Sequence, residues 1–239
     1  MTEAAAKIGD GARSTSRCAV VTGSSSGIGK AIAMRLAGEG WRVIGLDKAE
    51  GENCGANFRA VAVDLTDFGQ LASALAGIGE TDAVVHAAGF MRTAPLGALA
   101  SDDGAAMWRV HVEAAAVIAD TLLPKMPQGG RIVLIGSRVA SGAAGRSQYA
   151  AVKAAMVGMA RSWAAELAPK GITVNVVAPS ATETPMLGDP ARGRTPPKLP
   201  PIGRFVRADE VAALTAFLLG PEASAITGQQ IVICGGSSI

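Results

Sequence analysis

The run CAVVT (18–22) breaks into GSSSGIG (23–29), and the residues beyond it, KAIAMRLAGEG (30–40), carry the apolar spacing of a helix. Glycines at a strand-to-helix turn let the backbone come close to a pyrophosphate, and the free N–H groups and dipole of the helix start favour the anion. Glycine also serves many turns simply by accepting a positive φ, so this turn takes its meaning from the strand and acid beyond it. The next apolar run, WRVIGL (41–46), ends at Asp47, 18 residues after Gly29 (47 − 29). An acid about 20 residues beyond such a turn binds an adenosine ribose; the plainer alternative is that Asp47 only starts a turn. A carboxylate there accepts a hydrogen bond from the 2′-hydroxyl of NAD and repels the 2′-phosphate of NADP, while neighbouring Lys48 softens the repulsion. NAD is therefore the expected cofactor, with NADP as the alternative.

Working outward, five more runs of strand length follow: FRAVAV (58–63), DAVVHAA (82–88), RIVLIGS (131–137), ITVNVVA (172–178) and QIVIC (230–234). Helical spacing falls between them, at about 27–38, 67–77, 101–126, 147–168 and 207–219. Strands alternating with helices predict an α/β fold, a doubly wound sheet of about seven parallel strands with helices on both faces. Ser101 and Ser147 are the expected N-caps of their helices, and Asp209 falls early in the last one, where an acid suits the dipole. The stretch KAEGENCGANF (48–58) is too short for a crossover helix and reads as a loop or single turn. Pro185 to Arg207 holds six of the 12 prolines and five basic residues against the single acid Asp189. Such a long Pro-rich insertion predicts a lid or disordered loop.

With 239 residues the chain fits one α/β domain of up to about 250 residues. Residues 1–16 read as a disordered tail, with nothing resembling a secretory leader, and 17–239 as the domain. A formal charge of +2, with no basic run interleaved with aromatics, argues against nucleic acid. No uncharged apolar run reaches the roughly 18 residues that a membrane helix needs. Three distant cysteines (18, 54 and 234) oppose a disulfide framework or zinc site and point to a reducing cytoplasm. Aromatics number nine, so the core must be aliphatic, and only one of the nine is a tyrosine.

That tyrosine stands in Tyr149-Ala150-Ala151-Val152-Lys153, near the start of a predicted helix, so both end side chains project from one face. A phenol ionises near pH 10, but a lysine ammonium close by favours the phenolate and makes the pair a general acid and base for carbinol–carbonyl exchange. The alternative is an amphipathic helix with a packed Tyr and a solvated Lys. Ser137 ends the preceding strand, 12 residues earlier (149 − 137).

Taken together, TGSSSGIG (22–29), Asp47, Asp64-Leu65, AAG (87–89), Ser137, YAAVK (149–153), NVVAPSATETPM (175–186) and ITG (226–228) resemble the short-chain dehydrogenase/reductase family, collinearly from about Arg17 to the end of the chain. The resemblance implies a Rossmann-type sheet and hydride transfer between a nicotinamide and a carbonyl or alcohol. It makes Tyr149 the catalytic acid/base, Lys153 the residue that binds the nicotinamide ribose and tunes the phenol, and Ser137, preferred over Ser141, the partner of the substrate oxygen. The cofactor would lie against Gly23, Ser25, Ser26, Gly27, Ile28 and Gly29, with Asp64 and Leu65 at adenine, Ala88 and Gly89 in a lining turn, and Pro179 and Thr184 near the nicotinamide.

Three positions depart from the family pattern. His86 stands where the first asparagine of Asn-Asn-Ala-Gly is usual, and His111 where the following long helix carries an asparagine thought to hold a water between the lysine and solvent. A neutral imidazole offers one donor and one acceptor, so His111 is a candidate catalytic relay residue or else a structural one, and His86 is expected to bridge neighbouring elements. Ser180 follows Pro179 where glycine is usual, beside the nicotinamide. By resemblance, 185–207 is the substrate loop, and its net +4 charge with Arg138 and Arg146 either marks an anionic substrate or phosphopantetheine carrier or is simply solvated. Helices rich in Ala, Met and Val on more than one face support a homotetramer or homodimer. The expected function is NAD-dependent oxidoreduction of a small secondary alcohol or ketone. The alternatives are an NADPH-dependent 3-oxoacyl or polyketide-type reductase and a dinucleotide-binding sensor without turnover.

Overall fold

The computed structural model describes residues 16–49, 54–189 and 196–239. The expected tail, the middle of the 48–58 loop and the centre of the Pro-rich segment lie outside the described residues. The strand runs fold as β1 (Cys18–Thr22), β2 (Arg42–Asp47), β3 (Phe58–Ala62), β4 (Ala83–His86), β5 (Arg131–Ile135) and β6 (Thr173–Pro179). Two short strands follow, β7 (Thr182–Glu183) and β8 (Val206–Arg207), before β9 (Gln230–Ile233). Seven of them form one parallel sheet in the order β3-β2-β1-β4-β5-β6-β9. The chain works outward from β1 in one direction and from β4 in the other. A crevice therefore opens between the carboxyl ends of these two neighbours, where ligands bind in doubly wound sheets.

Side-chain alternation along buried strands divides the core into two layers. Val20, Leu46, Val84, Leu134 and Val176 face one side, against the helices α2 (Phe68–Ala76), α4 (Ala114–Leu122) and α5 (Ser147–Leu167). Ala19, Val21, Val85, Val133 and Val177 face the other, against α1 (Gly27–Gly38) and α6 (Ala208–Leu219). Both layers are aliphatic, as the low aromatic content requires.

Helix starts differ from the sequence reading at two places. Ser101 and Ser147 are the first helical residues of α3 (Ser101–Trp108) and α5, and the cap positions are Ala100 and Arg146, neither of which makes a side-chain cap bond. A serine already inside the first turn cannot fold back on it as a cap does. Asp67 is a working cap for α2, accepting from the N–H groups of Gly69 and Gln70 at 3.0 Å each. Asp209 and Glu210 occupy the first turn of α6.

The continuous helix expected over 101–126 is interrupted. After α3 the chain widens into a π turn over Arg109–Glu113 and then resumes as α4. π turns cluster at functional sites. Pairing of β7 with β8 ties together the two ends of the Pro-rich segment.

Candidate active site

Every site residue singled out in the sequence lines a single cleft of about 940 Å³ at the carboxyl end of the sheet. Its nucleotide half is built from main chain. Gly23 (φ +68°) follows β1, and a Cβ there would stand 2.8 Å from Ala88 Cα. A Cβ on Gly29 would overlap the Gly23 carbonyl. Glycine thus lets the turn pack tightly on itself and on the loop after β4, and the turn lines the cleft ahead of α1, where a pyrophosphate cradle would lie. Asp47 ends β2 and is fixed there: the Ser25 N–H donates to its Oδ2 (3.0 Å) and the Ala49 N–H to its Oδ1 (3.2 Å). Lys48 reaches away to Asp64, with Nζ 3.3 Å from Oδ2, so it does not neutralise Asp47 directly. Asp64 also accepts from the N–H and hydroxyl of Thr66, which hold its carboxyl below the usual range. Thr184 packs its methyl group within about 3.2 Å of where a Gly27 side chain would begin. These residues suit a nicotinamide dinucleotide.

In the other half of the cleft, α5 carries Tyr149 and Lys153 on its buried face. Lys153 Nζ donates to Ile135 O (2.7 Å) at the end of β5, meets His111 Nδ1 at 3.1 Å and lies 3.6 Å from Met156 Sδ. Burial pushes this ammonium down to about 7, so it is poised to exchange a proton near neutrality instead of holding a fixed charge. Its Nζ stands 5.7 Å from the centre of the Tyr149 ring, and the His111 ring meets Tyr149 edge-on at 6.0 Å. Ser137 is buried just past β5 and its hydroxyl oxygen accepts from the Val139 N–H at 3.2 Å.

The two histidines differ in what their partners allow. Thr22 Oγ1 accepts from the N–H groups of Ala87 and Ala88, each at 3.0 Å, which uses both its lone pairs. Its proton must therefore go to His86 Nδ1 (3.0 Å), leaving Nε2–H to donate to Val110 O at 3.0 Å. His86 is locked in one neutral tautomer, and burial holds it down to about 3. It bridges β1 to the π turn, consistent with the bridging expected for it. His111 has a choice: Nε2 faces both Phe90 O (2.8 Å) and Phe90 N–H (3.2 Å), and Nδ1 faces Lys153. With Lys153 charged, Nδ1 accepts and Nε2–H donates to Phe90 O. With Lys153 neutral, the reverse tautomer donates Nδ1–H to Nζ and accepts the Phe90 N–H at Nε2, and Phe90 O loses that donor. Burial and the nearby lysine keep this imidazole well below its usual range, so its neutral form is favoured.

Sequence reasoning missed several contributors. Thr22 opens the glycine-rich motif but reads as having no role of its own, Met156 reads as an ordinary helix residue, and Gly236, Ser237 and Ile239 enter the cleft only because β9 lies beside β6. No local signal in the sequence marks these roles. Ser180 lines the cleft, but its hydroxyl donates to Cys234 O (3.2 Å). Among the described lining residues, Asp47 and Asp64 are the side-chain carboxylates, whereas Lys48, Arg138, Arg146, Lys153 and Lys198 are basic.

Known proteins agree with this geometry. The family described as Enoyl-(Acyl carrier protein) reductase matches residues 23–238. The 3-oxoacyl-acyl-carrier-protein reductase FabG of Salmonella typhimurium is 37% identical over 236 residues, covering 92% of this chain and 96% of its own. A short-chain dehydrogenase of Burkholderia cenocepacia, solved in complex with NADP, superposes with a TM-score of 0.83 at 36% identity over 93% of this chain and 98% of its own. A blue fluorescent protein from a metagenomic library, solved with NADPH, gives 0.84 at 33% identity with the same coverage. No described helix is long and apolar enough to cross a membrane. A Rossmann-type sheet, a cleft suited to a nicotinamide dinucleotide and these relatives together make the chain an oxidoreductase acting on a CH–OH or keto group, and it belongs to the short-chain dehydrogenase/reductase family.

Proposed function

We propose that this oxidoreductase uses NAD to interconvert a small secondary alcohol and its ketone, with Tyr149 as general acid/base and Ser137 holding the substrate oxygen. The bound nicotinamide supplies or accepts the hydride. In the oxidative direction the Tyr149 oxygen takes the hydroxyl proton; in reduction it returns one to the carbonyl oxygen. Lys153 favours the phenolate when charged, and His111 is the relay candidate beside it, with Nδ1 3.1 Å from the lysine Nζ. The observation that carries the reading is Lys153, buried and poised near neutrality, lying between His111 and the helix face that bears Tyr149. Burial of Tyr149, Ser137 and Lys153 keeps water from competing.

Tyr149→Phe tests the assignment: activity should fall by at least about a hundredfold across a panel of secondary alcohols and ketones while NADH still binds, since proton transfer contributes roughly that much. An active Tyr149→Phe enzyme overturns it. For the relay, the pH–rate profile of His111→Asn should differ from wild type near neutrality; an identical profile removes His111 from the path.

The choice of NAD rests on Asp47, whose carboxylate is fixed by two backbone N–H groups while Lys48 is engaged elsewhere. The solved relatives that hold NADP and NADPH point the other way. Fluorescence titration with NADH and NADPH decides, and tighter NADPH binding would reverse the choice. A second reading, reduction of a 3-oxoacyl group on a carrier protein, is favoured by the FabG relatives and by Arg138, Arg146 and Lys198 along the cleft, which suit a phosphate-bearing arm. Assays on a 3-oxoacyl thioester, free and carrier-bound, separate the two. A cytoplasmic location agrees with the three free cysteines. Exposed Trp108, Phe217 and Val232 suit a homotetramer or homodimer, which sedimentation would measure.

A further inference from the structure

Widening the helix at Arg109–Glu113 removes a hydrogen bond. The Ala114 N–H, which in an α-helix would donate four residues back to Val110 O, donates five back to Arg109 O. Val110 O therefore loses its helical donor at a depth where an unpaired carbonyl costs about 1–3 kcal/mol. His86 Nε2–H supplies the replacement at 3.0 Å, and the Thr22 hydroxyl fixes the tautomer that makes Nε2 a donor. The next residue after Val110 is His111, which meets Lys153 at 3.1 Å. Phe90 O and the bare Gly89 backbone confine its ring on the other side.

We propose that His86 is a positioning residue. By donating to the carbonyl that the π turn leaves without its helical partner, it holds that turn widened and so delivers His111 to Lys153. An unbroken α-helix would need no donor from the sheet at this carbonyl, and would turn residue 111 to a different direction relative to α3. The occurrence of both histidines in one chain then has a physical reason: one keeps the other in place. The titratable groups facing His111 are Lys153, Tyr149 and His86 itself. His86 sends no proton of its own, because Nδ1 cannot gain one unless Thr22 gives up an N–H from Ala87 or Ala88.

This proposal rests on the relay reading only for its catalytic consequence, and two substitutions test it apart from that consequence. An asparagine amide sits at the level of Nδ1, so His86→Asn keeps the Thr22 hydroxyl bond and falls short of Val110 O. A glutamine amide reaches the level of Nε2, so His86→Gln keeps the bond to Val110 O. In each variant His111 is the sole remaining histidine, and its ring-nitrogen NMR shifts are read without overlap. In the wild type, and in His86→Gln, these shifts should step as Lys153 loses its proton near neutral pH. In His86→Asn the step should vanish and kcat should fall about tenfold to a hundredfold, the cost of misplacing a catalytic group by about 1 Å, with the Kd for NADH unchanged. A His86→Asn protein that keeps the wild-type step overturns the proposal, as does a His86→Gln protein that loses it together with His86→Asn. If the His111→Asn profile shows that His111 carries no proton, the NMR comparison still decides whether His86 positions it.

Discussion

A methyl group at Gly89 should be among the costliest small changes in this protein. A Cβ built there would fall within the His111 imidazole and would stand only 2.6 Å even from Nε2. Carbon contacts relax at about 3.5–4.0 Å, so the ring would have to retreat by about 1 Å or more. It cannot do so freely, because Nδ1 is 3.1 Å from Lys153 and Nε2 is 2.8 Å from Phe90 O. Overpacking of this kind costs about 1–3 kcal/mol. Two strained or broken hydrogen bonds add about 1 kcal/mol each, and a non-glycine residue at φ +154° adds a further 1 kcal/mol or so. Gly89→Ala is therefore expected to lower stability by about 4–6 kcal/mol in urea unfolding. The same change in a His111→Ala background meets no ring and should cost only about 1 kcal/mol, the backbone part. A double-mutant cycle would then give a coupling of about 3–5 kcal/mol between positions 89 and 111. Additive costs, or a Gly89→Ala protein within about 0.5 kcal/mol of wild type, would refute the close approach of the loop after β4 to the π turn.

Other expectations come from charge and capping. Lys153 ionises at about 7 when folded and at 10.5 in the unfolded chain, so between these values the unfolded state binds a proton that the folded state lacks. Stability should therefore rise with pH across that window, by at most about 1.4 kcal/mol per pH unit, and Lys153→Met should flatten the rise in pH-dependent denaturation. The histidines act on the acid side: both are held below 6.5, His86 at about 3, so stability is full above 6.5 and declines as pH falls toward 3. His86→Gln should remove one histidine's share of that slope. Asp47→Ser should narrow the ratio of NADH to NADPH affinity by tenfold or more, roughly 1.4 kcal/mol, and an unchanged ratio would remove Asp47 from cofactor choice. Asp67→Ala should cost about 1 kcal/mol by uncapping α2.

The strand runs and the glycine-rich turn were readable because buried parallel strands are continuous aliphatic segments and a strand-to-helix turn against a pyrophosphate must be glycine. Tyr149 and Lys153 were equally plain, being four apart on one helix. The break at Arg109–Glu113 was not, since the apolar spacing of 101–126 runs on across a one-residue widening. Ser101 and Ser147 misled for a related reason: a good capping residue one position inside the helix has the right chemistry in the wrong place. Lys48 adjoins Asp47 in sequence, yet its flexible four-carbon arm reaches Asp64 instead.

What the amino-acid sequence determined by itself is therefore local: which segments are strands, where backbone can approach a phosphate, and which helix face bears the phenol and the amine. Tertiary structure decided everything that depends on partners distant in the chain. Thr22, His86 and Val110 meet across 64 and 24 residues, and His111 reaches Lys153 across 42. A histidine's tautomer, and whether it is fixed or free to change, is set by the donors and acceptors around it, and those are brought together only when the sheet and its covering helices close.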